Sequence, residues 1–186
     1  MNALLPLFYE KASSIAMVKH GMDIQKKITN CQAPVTAFDQ PLFALAKYVQ
    51  WHWPQTLGEE HYVVMIGGLH VEMALWSTIG GFLDSSGWTS ALCEAGVATS
   101  GTADSFLKAA HVTKTRRSHQ ITALTLTKLR EHAWNQAAAK GEESFEVWRE
   151  TIIKKCPTFQ YWDLVLEFEI MVLIFIRAHR TNNFEL

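Results

Sequence analysis

Three polar residues follow two short apolar segments in the first half of the chain. Asp39 ends the segment PVTAFD, and His70 and Glu72 follow the Gly-Gly pair that ends HYVVMIGG. If both segments are parallel strands, their carboxyl ends meet at one edge of the sheet, where open α/β folds form their sites. Carboxylate oxygens are ligands that suit Mg²⁺ or Mn²⁺. The pattern therefore predicts a metal site at this edge, with Asp39 as the ligand.

Each of these residues also has a purely structural interpretation. Asp is a preferred helix N-cap residue, and Pro41 would lie in the first turn of the helix after Asp39. His70 could be a hydrogen-bonded histidine at a helix start, and Glu72 a first-turn acid that complements the helix dipole. Residues two apart on a helix do not face each other, so a joint His-Glu site requires extended backbone. H-x-E also opens the zinc deaminase signature, but the chain lacks the P-C-x-x-C that completes it.

The densest group of positive charges lies in residues 108–120, KAAHVTKTRRSHQ. Arg and Lys flanked by Ser and Thr suit contacts with backbone phosphates. The predicted nucleic-acid contacts are Lys114, Arg116, Arg117 and His119. A short run of charges is more often a solvated helix start, and this alternative stays open. Because the net charge of the chain is −1, nucleic-acid binding has to come from such a local patch.

The elements that must position these residues are predicted from the spacing of apolar residues. It indicates a helix in 10–29, a strand in 34–39, a helix in 41–53 and a strand in 61–68. The segment 34–68 is then a small βαβ unit with parallel strands and a right-handed crossover.

The rest of the chain is predicted to be helical. Helices are expected in 69–83, in 105–111 with caps supplied by 99–104, in 114–139, in 145–155 and in 159–180, with an uncertain short piece in 87–98. The predicted fold class is mainly α with a small βαβ element, in a single domain or domain fragment covering 1–186. Two strands do not make a free-standing sheet, so we expect that partner strands are missing.

Composition narrows the class of protein further. Hydrophobic residues make up 48% of the chain, which has seven tryptophans and can bury a sizeable core. Cys31, Cys93 and Cys156 are odd in number and form no C-x-x-C, which predicts reduced thiols in an intracellular protein. The start of the chain has no basic segment typical of a secretory signal. Acids interrupt the apolar segment near the end, which falls short of the roughly 20 residues of a membrane span, so no membrane partner is expected.

Several segments together resemble a known group of proteins. AFDQPLFALAK, QWHWP, VVMIGGLHVEMA, SGWTSAL and GTADSFLKAAHVTKTRRSHQITA are similar to a family of uncharacterised animal proteins that occur in many near-identical genomic copies and belong to mobile elements. The resemblance covers nearly the whole chain. Ala37 stands where most of these relatives have threonine.

A more distant similarity is to Mutator-like DNA transposases of the RNase H-like fold. Asp39, Pro54 and His70 resemble, in that order, the second catalytic acid, a proline near the end of the next helix, and the histidine that follows the next strand. The similarity implies that Asp39 is a catalytic ligand of Mg²⁺ or Mn²⁺, that His70 supports it, and that 72–180 is the helical insertion of such enzymes.

The chain departs from the transposase pattern on both sides of Asp39. No strand that could carry the first acid precedes it, and the last acid would lie beyond Leu186. Two-metal catalysis needs several converging carboxylates. We therefore expect a transposon-derived fragment without autonomous nuclease activity, whose ancestor cleaved and joined DNA phosphodiesters. DNA as a partner and a nuclear location follow from that origin. A helical protein-interaction module without catalytic activity, and a product with no selected role, remain the alternatives.

Overall fold

The computed structural model describes residues 9–29, 32–141, 144–183 and 185. The chain divides into two compact units, Met1–Val71 and Glu72–Leu186. The division lies three residues after the predicted change from the βαβ segment to the helical region. Cys31, one of the three thiols expected to be reduced, lies outside the described residues, whereas Cys93 and Cys156 are free thiols.

The first unit contains the two strands of the described chain. Its elements are α1 (Ile15–Ile28), β1 (Val35–Phe38), α2 (Gln40–His52), α3 (Pro54–Leu57) and β2 (Val63–Ile66). The strands are parallel, with Val35 opposite Val63 and Phe38 opposite Ile66, so the predicted parallel pair is confirmed. α1 begins later than predicted because the hydroxyl of Ser14 accepts a hydrogen bond from the Met17 N–H and caps the helix there.

The core of the first unit lies between α1, α2 and the sheet. Val18 and Met22 of α1, Ala46 and Val49 of α2, and Val64 of β2 are all buried. In addition, the buried Gln50 side chain donates to the Tyr62 carbonyl oxygen at 2.6 Å, which ties α2 to the start of β2. This packing fixes the sheet edge that follows Phe38 and Ile66.

The second unit is helical. Its elements are α4 (Gly68–Leu83, which begins in the first unit), α5 (Trp88–Glu94), α6 (Ser100–Phe106), α7 (Val112–Ala138), α8 (Phe145–Lys155) and α9 (Pro157–Thr181). The prediction of a mainly α chain with a small parallel βαβ element is confirmed, whereas its RNase H-like ancestry stays a prediction. Within the described residues, no helix has the length and apolar character needed to cross a membrane.

One predicted helix has different bounds in the structure. The segment 99–104 was expected to cap a helix in 105–111, but α6 begins at Ser100 and ends at Phe106. Ala109 and His111 have φ values of 51° and 39°, which are incompatible with a continuing right-handed helix. The chain therefore turns before α7 begins at Val112.

The core of the second unit is rich in aromatic residues. Trp76 of α4, Trp88 of α5, Phe106 of α6 and Val165 of α9 are buried together. α4 passes so close to the end of α6 that a Cβ atom on Gly80 would lie 2.0 Å from the Leu107 carbonyl oxygen. Glycine is therefore required at this crossing.

Candidate functional site

The structure places Asp39 and His70 beyond the same edge of the sheet. Asp39 directly follows β1, and its Oδ1 accepts a hydrogen bond from the Leu42 N–H at 2.9 Å. The structural interpretation of Asp39 as the N-cap of α2 is therefore confirmed. His70 lies in the first turn of α4, and a Cβ atom on Gly67 would lie 3.8 Å from its Cδ2.

These two residues do not assemble a metal site by themselves. Among the described residues, no three His, Cys, Asp or Glu side chains are grouped so that they could hold a metal ion. Asp39 commits one carboxylate oxygen to the helix cap. A two-metal centre needs several converging carboxylates, which Asp39 alone does not provide. The catalytic roles of Asp39 and His70 and the metal-binding role of Asp39 stay predictions.

The four predicted phosphate contacts on α7 differ in exposure and in what their side chains contact. Lys114 and Arg117 are exposed, but Arg116 turns towards α4 and forms a two-fold contact with Glu72. The Arg116 Nε donates to Glu72 Oε1 at 2.7 Å, and Nη2 donates to Oε2 at 2.6 Å. The hydrogen bond to Glu72 raises the pKa of Arg116 above its already high ordinary value. The Arg116 side chain is thus bound to Glu72 within the second unit.

His119 is not a surface residue at all. Its side chain is fully buried, with Nδ1 2.7 Å from Glu169 Oε1 of α9. The imidazole stacks on Trp76 and Trp88, with ring centroids 4.2 and 5.0 Å away. The predicted contact between His119 and a phosphate is therefore corrected: the side chain lies on the inward face of α7 and does not reach the surface.

The buried polar groups around His119 join four helices of the second unit. Trp76 Nε1 donates to Glu72 Oε1 at 3.1 Å, and Trp88 Nε1 donates to the Thr122 hydroxyl at 2.8 Å. Burial raises the pKa of Glu169, and its hydrogen bond with His119 partly opposes that shift. Sequence analysis missed this cluster, although an acid within the apolar α9 segment is a signal for a buried polar partner.

The second unit contains a cavity of about 650 Å³. Side chains of α5, α7 and the first half of α9 form its walls, which are mostly apolar and include Trp88, Leu92, Leu126, Phe159, Trp162 and Leu166. Small residues line the cavity in and beside α5: Ala91 within the helix, and Gly87 and Ala95 directly before and after it. Their small size leaves space along this side of α5.

Charged side chains border the cavity where α7 faces α9. Asp163 lines it and is almost fully buried, with Arg130 Nη1 3.1 Å from Oδ1. Arg149 of α8 does not line the cavity, and its Nε donates to Asp163 Oδ2 at 2.7 Å. A further hydrogen bond links Arg149 to Glu167. The hydrogen bond with Asp163 is the main reason why the pKa of Arg149 lies above its ordinary value.

Sequence analysis did not predict the cavity. The seven tryptophans predict only a sizeable core, and the spacing of Gly87, Ala91 and Ala95 is the available signal. That signal is weak, because small residues on a helix face can also mark close helix packing, as Gly80 does at Leu107.

The chain belongs to the family described as Domain of unknown function (DUF8702), whose family model matches residues 3–147. The matched region includes Asp39, His70, α5 and α7. No curated protein and no solved structure matches the chain.

Proposed function

We propose that this chain is a binding module without catalytic activity, and that its helical unit takes a small apolar ligand in the cavity between α5, α7 and α9. The observation that carries the proposal is the cavity itself. Its volume of about 650 Å³ falls within the range of roughly 300–1,000 Å³ typical of small-molecule sites. Such sites are mainly apolar with a few convergent polar groups, and this composition is found here.

Part of the wall is buried, which favours a small molecule over a flat protein contact, although Leu129 also lines the cavity and is 60% exposed. Trp88 is 4% exposed and Leu166 is 1% exposed, although both line the cavity. An apolar space is filled poorly by water, because a buried water needs two to four polar partners. An apolar ligand would gain dispersion contacts with the walls and remove its own surface from water.

A cavity-filling substitution tests this proposal in the full chain. The uncharged dye N-phenyl-1-naphthylamine becomes fluorescent in apolar surroundings and serves as the probe. Ala91→Phe places a large side chain in the cavity wall, and Ser90→Phe adds the same side chain at an exposed neighbouring position that does not line the cavity. We expect the unaltered chain and Ser90→Phe to bind the dye with similar affinity.

Ala91→Phe is expected to weaken dye binding about tenfold or more, because its ring occupies the ligand volume. Circular dichroism of both variants verifies that the helices are intact. If the dye does not bind the unaltered chain, or binds Ala91→Phe equally well, the proposal is wrong.

A second candidate function is contact with the backbone of a nucleic acid. The observation that favours it is the position of Lys114 and Arg117, which lie three residues apart and exposed at the start of α7. Neither side chain forms an ion pair within the described part of the chain. The positive end of the helix dipole adds to their attraction for phosphate. Descent from a DNA-cleaving transposase would be consistent with such a contact and stays a prediction.

A further inference from the structure

We infer that the ligand of the cavity carries a single carboxylate, which Arg130 binds while the apolar body lies against the aromatic walls. This inference rests on the proposed function and adds the chemical class of the ligand. Arg130 and Asp163 are the charged residues that line the cavity. The charge of the cavity wall therefore depends on the ion pairs that these two residues form.

Both carboxylate oxygens of Asp163 accept a hydrogen bond from a guanidinium group. Its Oδ1 accepts from Arg130, and its Oδ2 accepts from Arg149, which stands outside the cavity. The Asp163 side chain is 2% exposed, so these bonds are shielded from water. One carboxylate is thus shared between two guanidinium groups, so Arg130 is compensated by a carboxylate that it does not hold alone.

Arg130 retains donors that a ligand could use. A guanidinium group has five N–H groups, and within the described chain Arg130 directs one of its nitrogens, Nη1, to Asp163. The guanidinium carbon lies 5.5 Å from the centre of the Phe145 ring, so the group is held in place from a second side. Its side chain is 23% exposed, which leaves room for an incoming group.

The spare N–H donors of Arg130 favour an anion over a neutral or cationic ligand. Arg149 also bonds to Glu167, so the four charged side chains balance one another and the preference comes from these donors. Hydrogen bonds between a guanidinium and a carboxylate are short and often two-fold, and they are stronger beside a water-poor wall. The first turn of α9 also borders the cavity through Thr158 and Phe159, and its positive end adds to the same preference.

Three probes of equal chain length test the charge preference on the full chain. Decanoate, decan-1-ol and decylammonium are titrated below their micelle-forming concentrations against the bound naphthylamine dye. We expect decanoate to displace the dye at a concentration about tenfold lower than decan-1-ol, because a charged hydrogen bond adds to the same apolar contact. Decylammonium is expected to be the weakest of the three.

Substitution of Arg130 assigns the effect to one residue. Arg130→Gln should lower decanoate affinity to that of decan-1-ol and leave decan-1-ol unchanged, whereas Arg130→Lys should retain part of the preference. Arg177→Gln removes the same charge from an exposed position on α9 that does not line the cavity. This control should keep the preference in full.

The outcomes separate this inference from the proposed function. Equal displacement by decanoate and decan-1-ol in the unaltered chain would overturn the carboxylate inference. A preference for decanoate that survives in Arg130→Gln would overturn it too. In both cases the cavity remains a binding site. If neither the dye nor any probe binds, the proposed function itself fails. The comparison of probes in the unaltered chain does not depend on the folding of any variant.

Discussion

At the scale of single residues, neighbouring arginines on α7 have different roles because of what they contact. Arg116 and Arg117 are adjacent in a basic segment, and their sequence context is nearly the same. In the structure Arg116 is 14% exposed against a Glu72 side chain that is 6% exposed, whereas Arg117 is exposed. The charge of Arg116 therefore contributes to stability, and that of Arg117 remains free for an external contact.

Alanine substitutions should separate these two arginines. Arg116→Ala leaves the Glu72 carboxylate buried without its partner, so we expect the free energy of unfolding to fall by about 3 kcal/mol. Arg117→Ala changes an exposed position, and the expected change is within about 0.5 kcal/mol. Urea unfolding followed by circular dichroism measures both values. Equal small changes would contradict a structural role for the Arg116–Glu72 pair.

The buried Glu169 predicts a dependence of stability on pH. Burial raises its pKa above the ordinary 4.5, so the native state keeps this proton to a higher pH than the unfolded chain does. Between the two pKa values the native state binds more protons, and its stability falls as the pH rises. We expect the stability of the unaltered chain relative to Glu169→Gln to decrease as the pH rises above about 4.5.

Unfolding of both proteins in urea from pH 4 to pH 8 measures that difference. Glu150→Gln, at an exposed position on α8, is the control, and its difference from the unaltered chain should not follow the same trend. A difference between the unaltered chain and Glu169→Gln that stays constant with pH would show that Glu169 has no raised pKa in the folded state.

At the scale of helices and strands, two adjacent glycines on α4 have opposite environments. A Cβ atom on Gly80 would lie 2.0 Å from the Leu107 carbonyl oxygen, whereas one on Gly81 would meet nothing within 4 Å. Gly80 thus allows α4 and the end of α6 to cross closely. Gly81 lowers helix propensity without a packing role.

Alanine at each glycine tests the packing of α4. Gly80→Ala should lower the free energy of unfolding by about 3 kcal/mol, because backbone atoms must move apart. Gly81→Ala should raise it by roughly 0.5–1 kcal/mol, because alanine favours the helix. Thermal unfolding of the two variants provides the comparison. If Gly80→Ala were as stable as Gly81→Ala, the close crossing at Leu107 would be wrong.

Short-range sequence patterns were sufficient to predict many of the helices and strands, but they were insufficient to predict the cavity and the buried polar cluster. The parallel strands, the cap at Asp39 and the bounds of α8 at Phe145 and Lys155 follow from short-range patterns, which the structure confirms. The burial of His119 depends on Glu169, fifty residues away, and on two tryptophans from other helices. The cavity likewise depends on the packing of three separate helices, which no local spacing specifies.

At the scale of the whole molecule, a net charge of −1 means that attraction to nucleic acid has to come from a local patch, and Lys114 and Arg117 are the exposed members of the predicted one. Two phosphate contacts predict that the logarithm of the DNA affinity falls with the logarithm of salt concentration with a slope of about −2, instead of about −4 for the four contacts predicted from sequence. Fluorescence anisotropy with a labelled duplex measures this slope.

Lys114→Ala together with Arg117→Ala should abolish that salt-dependent binding. Lys154→Ala together with Lys155→Ala removes the same charge from α8, where both residues are exposed, and should leave the slope unchanged. If both double variants lose affinity equally, the binding reflects overall charge and no contact site on α7.

The central claim of this account is that the cavity of the helical unit binds an apolar ligand, and the reactivity of Cys156 tests it most directly. Cys156 lines the cavity, whereas Cys93 on α5 is also partly buried but does not line it. In a Cys31→Ser background, iodoacetamide alkylation of each thiol is followed by mass spectrometry with and without N-phenyl-1-naphthylamine. At ten times its dissociation constant, the dye should slow the alkylation of Cys156 about tenfold and leave Cys93 unchanged. Alkylation of Cys156 at an unchanged rate while the dye is bound would contradict the claim.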